Sequence, residues 1–89
     1  MPYVRDESAA RIQAGGRPIT TGELNYALTL VIIQYCLDRG LCYDTINDVV
    51  GALEGAKAEF QRRVVAPYEN DCIMENGDVY PVELTVGKV

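Results

Sequence analysis

Apolar residues along this chain recur at the three- and four-residue intervals of amphipathic helices. The clearest start signal is Thr20-Thr21-Gly22-Glu23, a hydroxyl followed three residues later by a carboxylate, which is capping-box spacing. It predicts a helix over about 21–39, with Gly40 as a left-handed C-terminal cap and Leu41 as the apolar residue after it. Placed on a wheel at about 100° per residue, Glu23, Gln34 and Asp38 make one narrow polar stripe. Leu24, Leu28, Val31, Ile32, Ile33 and Leu37 fill much of the remaining circumference. A helix apolar over most of its girth is expected at the centre of a fold, covered from more than one side.

A second capping-box-like start, Thr45 with Asp48 three residues on, opens a helix near Asp44 or Thr45. It is expected to run to about Ala66, because proline at 67 disfavours helical geometry at the residue before it. Ile46, Val49, Val50, Leu53, Ala56, Phe60 and Val64 share one face of it. Upstream, residues 5–14 form a short helix started near Asp6 or Ser8 and ended by Gly15-Gly16. Beyond Pro67 two readings stand. Either Pro67 opens another helix through about Glu75, capped at Asn76-Gly77, or Asn76-Gly77 is the turn of a β-hairpin. The helix is favoured because the segment before Asn76 lacks strand alternation; residues 80–89 are expected to be extended either way. The fold class is therefore all-α: a small helical hairpin of two main helices, about 21–39 and 44–66, packed antiparallel. A short N-terminal helix and a C-terminal helical or hairpin tail complete it. One domain spans 1–89, with an N-terminal arm (1–19), a helical core (20–67) and an acidic C-terminal segment (68–89).

Several residues stand out against that frame. Gly51 and Gly55 lie one turn apart inside a helix, where each costs about 1 kcal/mol relative to alanine. With Ala58 they form a groove of small residues opposite the apolar face, ending at Arg62. This groove is read as a second contact surface, for another helix or for a ligand against backbone. Arg62 and Arg63, followed by Tyr68, have the donors and the ring to hold a phosphate-bearing anion. The competing reading is charge complementarity at a helix end and pairing with Glu59. Asn25, with Thr29 and Cys36, lies away from the polar stripe of its helix and beside Tyr26. An amide buried there needs partners, supplied either by a ligand or by a structural network.

Composition narrows the chemistry. The 89 residues contain no histidine and no tryptophan, which removes the commonest general base and metal ligand together. Asp44, Asp48, Glu54 and Glu59 scatter around their helix rather than clustering for a divalent cation. Cys36, Cys42 and Cys72 contain no Cys-x-x-Cys pair, and three thiols leave one unpaired in any disulfide scheme. No metal, cofactor or catalytic residue is therefore expected. The net charge of −5 concentrates at the C-terminal end, in Glu69, Asp71, Glu75, Asp78 and Glu83. No basic face is available for a nucleic-acid polymer or an anionic membrane. The N-terminus lacks a signal-type apolar run, so the expected location is a reducing cytosol. A domain this small buries only about 60–70% of its unfolded surface, which favours a homo-oligomer built on the Gly51/Gly55 groove and the girth of the 21–39 helix.

Read as strings, Gly22-Glu23-Leu24-Asn25-Tyr26 and Tyr43-Asp44-Thr45-Ile46-Asn47-Asp48-Val49-Val50-Gly51-Ala52-Leu53-Glu54 resemble an uncharacterised family of short bacteriophage-encoded proteins. Arg62-Arg63-Val64-Val65-Ala66-Pro67-Tyr68-Glu69 and Glu75-Asn76-Gly77-Asp78-Val79-Tyr80 extend the likeness over roughly residues 22–80. The resemblance implies a phage accessory protein of the bacterial host cytosol that acts by binding. Sequestering a small anionic, nucleotide-like signal of host immunity at Asn25, Tyr26, Gly51, Gly55, Arg62, Arg63 and Tyr68 is the leading expectation. Docking on a host protein, or a part in virion assembly, is the alternative.

Overall fold

A computed structural model describes residues 4–85 of the chain. The described residues are helical, with α1 (Asp6–Gln13), α2 (Thr21–Arg39), α3 (Tyr43–Phe60), a π-helical turn (Gln61–Val65), α4 (Ala66–Asn76) and α5 (Val82–Thr85). No strand occurs among them, so the all-α class holds and the hairpin alternative around Asn76-Gly77 does not. The chain divides into two units, Met1–Val50 and Gly51–Val89, described in turn.

In the first unit α1 begins with Asp6 and Glu7, acids that suit the positive end of a helix, and ends with Arg11 in its last turn. Its exit is a Schellman motif. The amide of Gly15 donates to the Ile12 carbonyl (3.0 Å) and that of Gly16 to the Arg11 carbonyl (2.8 Å). Gly15 takes a φ of 95°, and a β-carbon on Gly16 would lie 2.7 Å from the Arg11 carbonyl oxygen. Both glycines are therefore required, for different reasons. At α2 the expected cap forms: the Thr20 hydroxyl accepts the Glu23 amide at 3.1 Å. At the far end Gly40 has the expected positive φ (85°), but its ψ of 143° turns the chain into an extended path instead of a left-handed cap.

α1 packs against α2. At about 1.5 Å per residue, its eight residues reach along less than half of the nineteen in α2. Ile12 is the buried apolar side chain of the described residues, while Leu24, Leu28, Val31, Ile33 and Leu37 stay exposed. α2 is thus not the enclosed central helix its pattern predicts. Within the first unit α2 is followed by the opening turns of α3, up to Val50. The two meet at their corner through a hydrogen bond from the Tyr35 hydroxyl to Asp48 (2.8 Å). α3 opens at Tyr43, slightly earlier than expected, because the Cys42 carbonyl accepts the Ile46 amide (2.9 Å) and so starts the helical ladder.

In the second unit the helix does not stop before Pro67. Phe60, Val65 and Ala66 all keep right-handed helical backbone, and the Ala66 amide reaches back five residues to the Gln61 carbonyl. The reason is steric. Proline has no amide hydrogen to give the carbonyl four residues back, and its ring presses on that carbonyl. Widening the preceding turn by one residue makes room without ending the helix. α4 then runs to Asn76, where the Gly77 amide donates to the Ile73 carbonyl (2.7 Å). The expected extended tail is corrected over Val82–Thr85, where a short helical turn follows Pro81 and the Leu84 amide donates to the Pro81 carbonyl (3.0 Å). Residues 86–89 of that expectation lie outside the described residues.

Gly16→Ala places a methyl group against backbone that cannot move without opening the α1 exit. It should destabilise the first unit by about 1–3 kcal/mol, the usual range for overpacking, as measured by chemical denaturation.

Candidate functional site

The most connected side chain is Glu23. It is only 6% exposed. Its carboxylate accepts hydrogen bonds from the Ser8 hydroxyl (2.9 Å) and the Ile19 amide (3.0 Å), and forms an ion pair with Arg11. Arg11 also donates to the Arg17 carbonyl, so one guanidinium fastens both α2 and the α1–α2 connection. Nearby, Gln13 donates to the Tyr26 hydroxyl (2.6 Å). The bond to Arg11, then that to the Ile19 amide, holds the Glu23 carboxyl below the usual carboxylate range. This cluster ties helices together, and both oxygens of the carboxylate are engaged by the protein.

A second polar group sits at the α2–α3 corner. Arg39 stacks over the Tyr35 ring with its guanidinium carbon 5.0 Å from the centroid. Asp48 accepts the Tyr35 hydroxyl and raises its pKa. Thr45, 3% exposed, donates from its hydroxyl to the Gly40 carbonyl (2.7 Å). Hydrogen bonding with the Thr45 hydroxyl and amide, and with the Asp44 amide, draws the exposed Cys42 thiol below its ordinary range.

The residues expected to bind a ligand are distributed as follows. In the first unit Asn25 is exposed rather than buried; the Thr29 hydroxyl donates to its backbone carbonyl (2.8 Å) and lies 3.4 Å from its side-chain Oδ1. Tyr26 is half-buried and occupied by Gln13. In the second unit Gly51, Gly55, Arg62, Arg63 and Tyr68 are all exposed. A β-carbon at Gly51 or Gly55 would meet nothing within 4 Å. Among the described residues, no contact accounts for either glycine. Arg62 is ion-paired with Glu59, as the competing sequence reading has it. Arg62 and Arg63 lie on the π turn, and Tyr68 follows it in α4.

Among the described residues no group of three or more Cys, Asp or Glu side chains gathers as metal ligands would, and no helix is long and apolar enough to cross a membrane. Sequence reasoning missed Ser8 and Arg11. They lie three apart on α1 and so share a face, which was the available signal for a common partner. The chain matches, over residues 1–79, the family described as Domain of unknown function (DUF6899), and it belongs to that family. No curated protein and no solved structure matches it.

Two outcomes follow from this geometry. Because folding lowers the pKa of Glu23, its contribution is complete above the unfolded value of about 4.3 and is lost as pH falls through the folded value. Thermal melts between neutral and acid pH should show this loss, and Glu23→Gln should remove that part of the pH dependence. Gly55→Ala, with open space for its methyl group, should stabilise α3 by about 0.5–1 kcal/mol. A fall in melting temperature would instead mean that something outside the chain closes on that surface.

Proposed function

We propose that this protein acts by binding rather than by catalysis, and that its working form is an assembly of copies. The observation that carries the reading is the contrast between apolar content and burial. Hydrophobic residues make up 48% of the chain, yet among the described residues Ile12 is the buried apolar side chain, and many large ones along α2, α3 and α4, such as Leu24, Val31, Leu37, Val50, Phe60 and Met74, are exposed. Helices draw most of their stability from packing an amphipathic face. Ordering each residue costs about 1–2 kcal/mol of entropy, which such sparse burial does not offset. Association supplies the missing cover.

The ligand class favoured is a small anionic, nucleotide-like molecule, in keeping with a phage accessory protein that captures a host immune signal. Support comes from Arg62, Arg63 and Tyr68, exposed together on and just after the π turn. Arginine forks fit phosphate oxygens, and a tyrosine ring offers a stacking surface. A second reading, docking on a host protein, is favoured by the exposure of Glu69, Asp71, Glu75, Asp78 and Glu83 on one segment.

Sedimentation over roughly 1–100 μM should give an oligomer whose melting temperature rises with concentration. Thermal shifts against cyclic nucleotides and ADP-ribose derivatives should identify a stabilising ligand, and Arg62→Ala with Arg63→Ala should abolish the shift. A monomer with a concentration-independent melting temperature contradicts the assembly. Absence of any shift, with biological activity lost on truncation after Tyr68, transfers the function to the protein-docking reading.

A further inference from the structure

α1 has a narrow hold on the rest of its unit. Its eight residues fall short of the roughly 12–15 at which a helix in water holds by itself, so its helical state depends on docking. The docking side of α2 is marked by burial. Glu23, Tyr26, Ala27 and Leu30 recur at helical spacing and are all buried or half-buried, whereas Leu24, Leu28 and Val31 beside them are exposed. Ile12 is the buried apolar side chain of α1. The polar part of the contact converges on the Glu23 carboxylate, with one further bond from Gln13 to Tyr26.

That convergence depends on charge. The Glu23 carboxylate faces three donors, from Ser8, Arg11 and the Ile19 amide. A protonated carboxyl would bring a fourth donor to the same spot and leave the guanidinium without its counter-charge. Among the described residues Arg11 is the charged group that touches Glu23. Arg5, Asp6 and Glu7, at the start of α1, and Arg17, in the connection, are exposed, and the next charge along α2 is Asp38. The start of α2 does not share this dependence, because the Thr20 hydroxyl accepts the backbone amide of Glu23. Near its other end α2 is held separately, by the Tyr35 hydroxyl on Asp48.

We propose that α1 is an acid-released strap: loss of the negative charge on Glu23 undocks and unwinds α1, while α2 remains helical. Arg11 first, and then the Ile19 amide, hold the Glu23 carboxyl below the usual range. The strap is therefore closed at neutral pH and opens as pH falls through that lowered value. Opening uncovers the Tyr26, Ala27 and Leu30 side of α2 and frees the connection from Arg11. It is a local event, separable from unfolding of the whole chain, and so lies within reach of hydrogen exchange.

The test follows amide exchange in the full chain from neutral pH into acid, corrected for the intrinsic effect of pH on exchange. The amides of Ala9, Ala14, Gly15 and Gly16 are hydrogen-bonded within α1 or its exit. They should lose protection about tenfold or more, the worth of one hydrogen bond to a charged group, while α2 amides beyond Glu23 keep theirs. Glu23→Gln should show the open pattern already at neutral pH, with no further change in acid. Ser8→Glu, which sets a second carboxylate against the first, should also open α1 at neutral pH. Asp38→Asn, farther along α2, should respond to acid as the natural chain does. An α1 that stays protected in acid and in both Glu23→Gln and Ser8→Glu would overturn the proposal. So would α1 and α2 losing protection together, in acid or in either variant, because the cluster would then belong to one cooperative unit.

Discussion

In the first unit the arrangement of α1 and α2 hangs on one carboxylate. Glu23 completes the start of α2, with its amide on Thr20 and its side chain on the Ile19 amide, while Arg11 and Ser8 bring α1 to the same group. Local capping and long-range docking are thereby the same event. Ile12 is the one apolar side chain buried among the described residues, so the polar cluster has a large share in fixing where α1 lies. Taking the carboxylate away would strand a guanidinium, a hydroxyl and an amide together. Partly satisfied networks cost more than their absent bonds suggest.

Elsewhere the helices are specified by their own local chemistry and left uncovered by their own chain. Caps, a proline-adapted turn and glycine exits define where each begins and ends. They say little about what lies across from it. Such a chain has its secondary structure written locally. The self-association proposed above would let one surface serve as both donor and receiver of the packing.

The sequence made the helix boundaries legible to the extent that a single residue decides them. Thr20, Gly15-Gly16 and Gly77 act within a few residues of themselves, and each does what its type and position predict. Pro67 misled because its effect depends on its neighbours: it stops a helix only where the preceding turn cannot widen, and here that turn does widen. The start of α3 lies one or two residues ahead of the expected Asp44 or Thr45 because the Cys42 carbonyl already opens the ladder. Glu23 was legible as a cap but not as a buried ion-pair partner, since that requires α1 to arrive from elsewhere. The packing of α2 was the largest miss. An apolar girth records that a helix must be covered and carries no address for the cover. Of the ligand-site residues, the sequence located the arginine pair and Tyr68 on exposed helix. It could not show that the Asn25 amide is exposed and so needs no buried partner, because exposure depends on what packs across from α2.

The π turn gives the chain an uneven tolerance to length change. In α3 or α4, losing one residue would twist the rest of the helix by about 100° and scatter its faces. Between Gln61 and Val65 the backbone already carries one residue more than an α-turn holds. A deletion there would exchange a wide turn for a narrow one and leave the helix on either side in phase. Related chains that differ by one residue in this helix should therefore carry the gap at this turn, a pattern that gives the bulge a signature readable from aligned sequences.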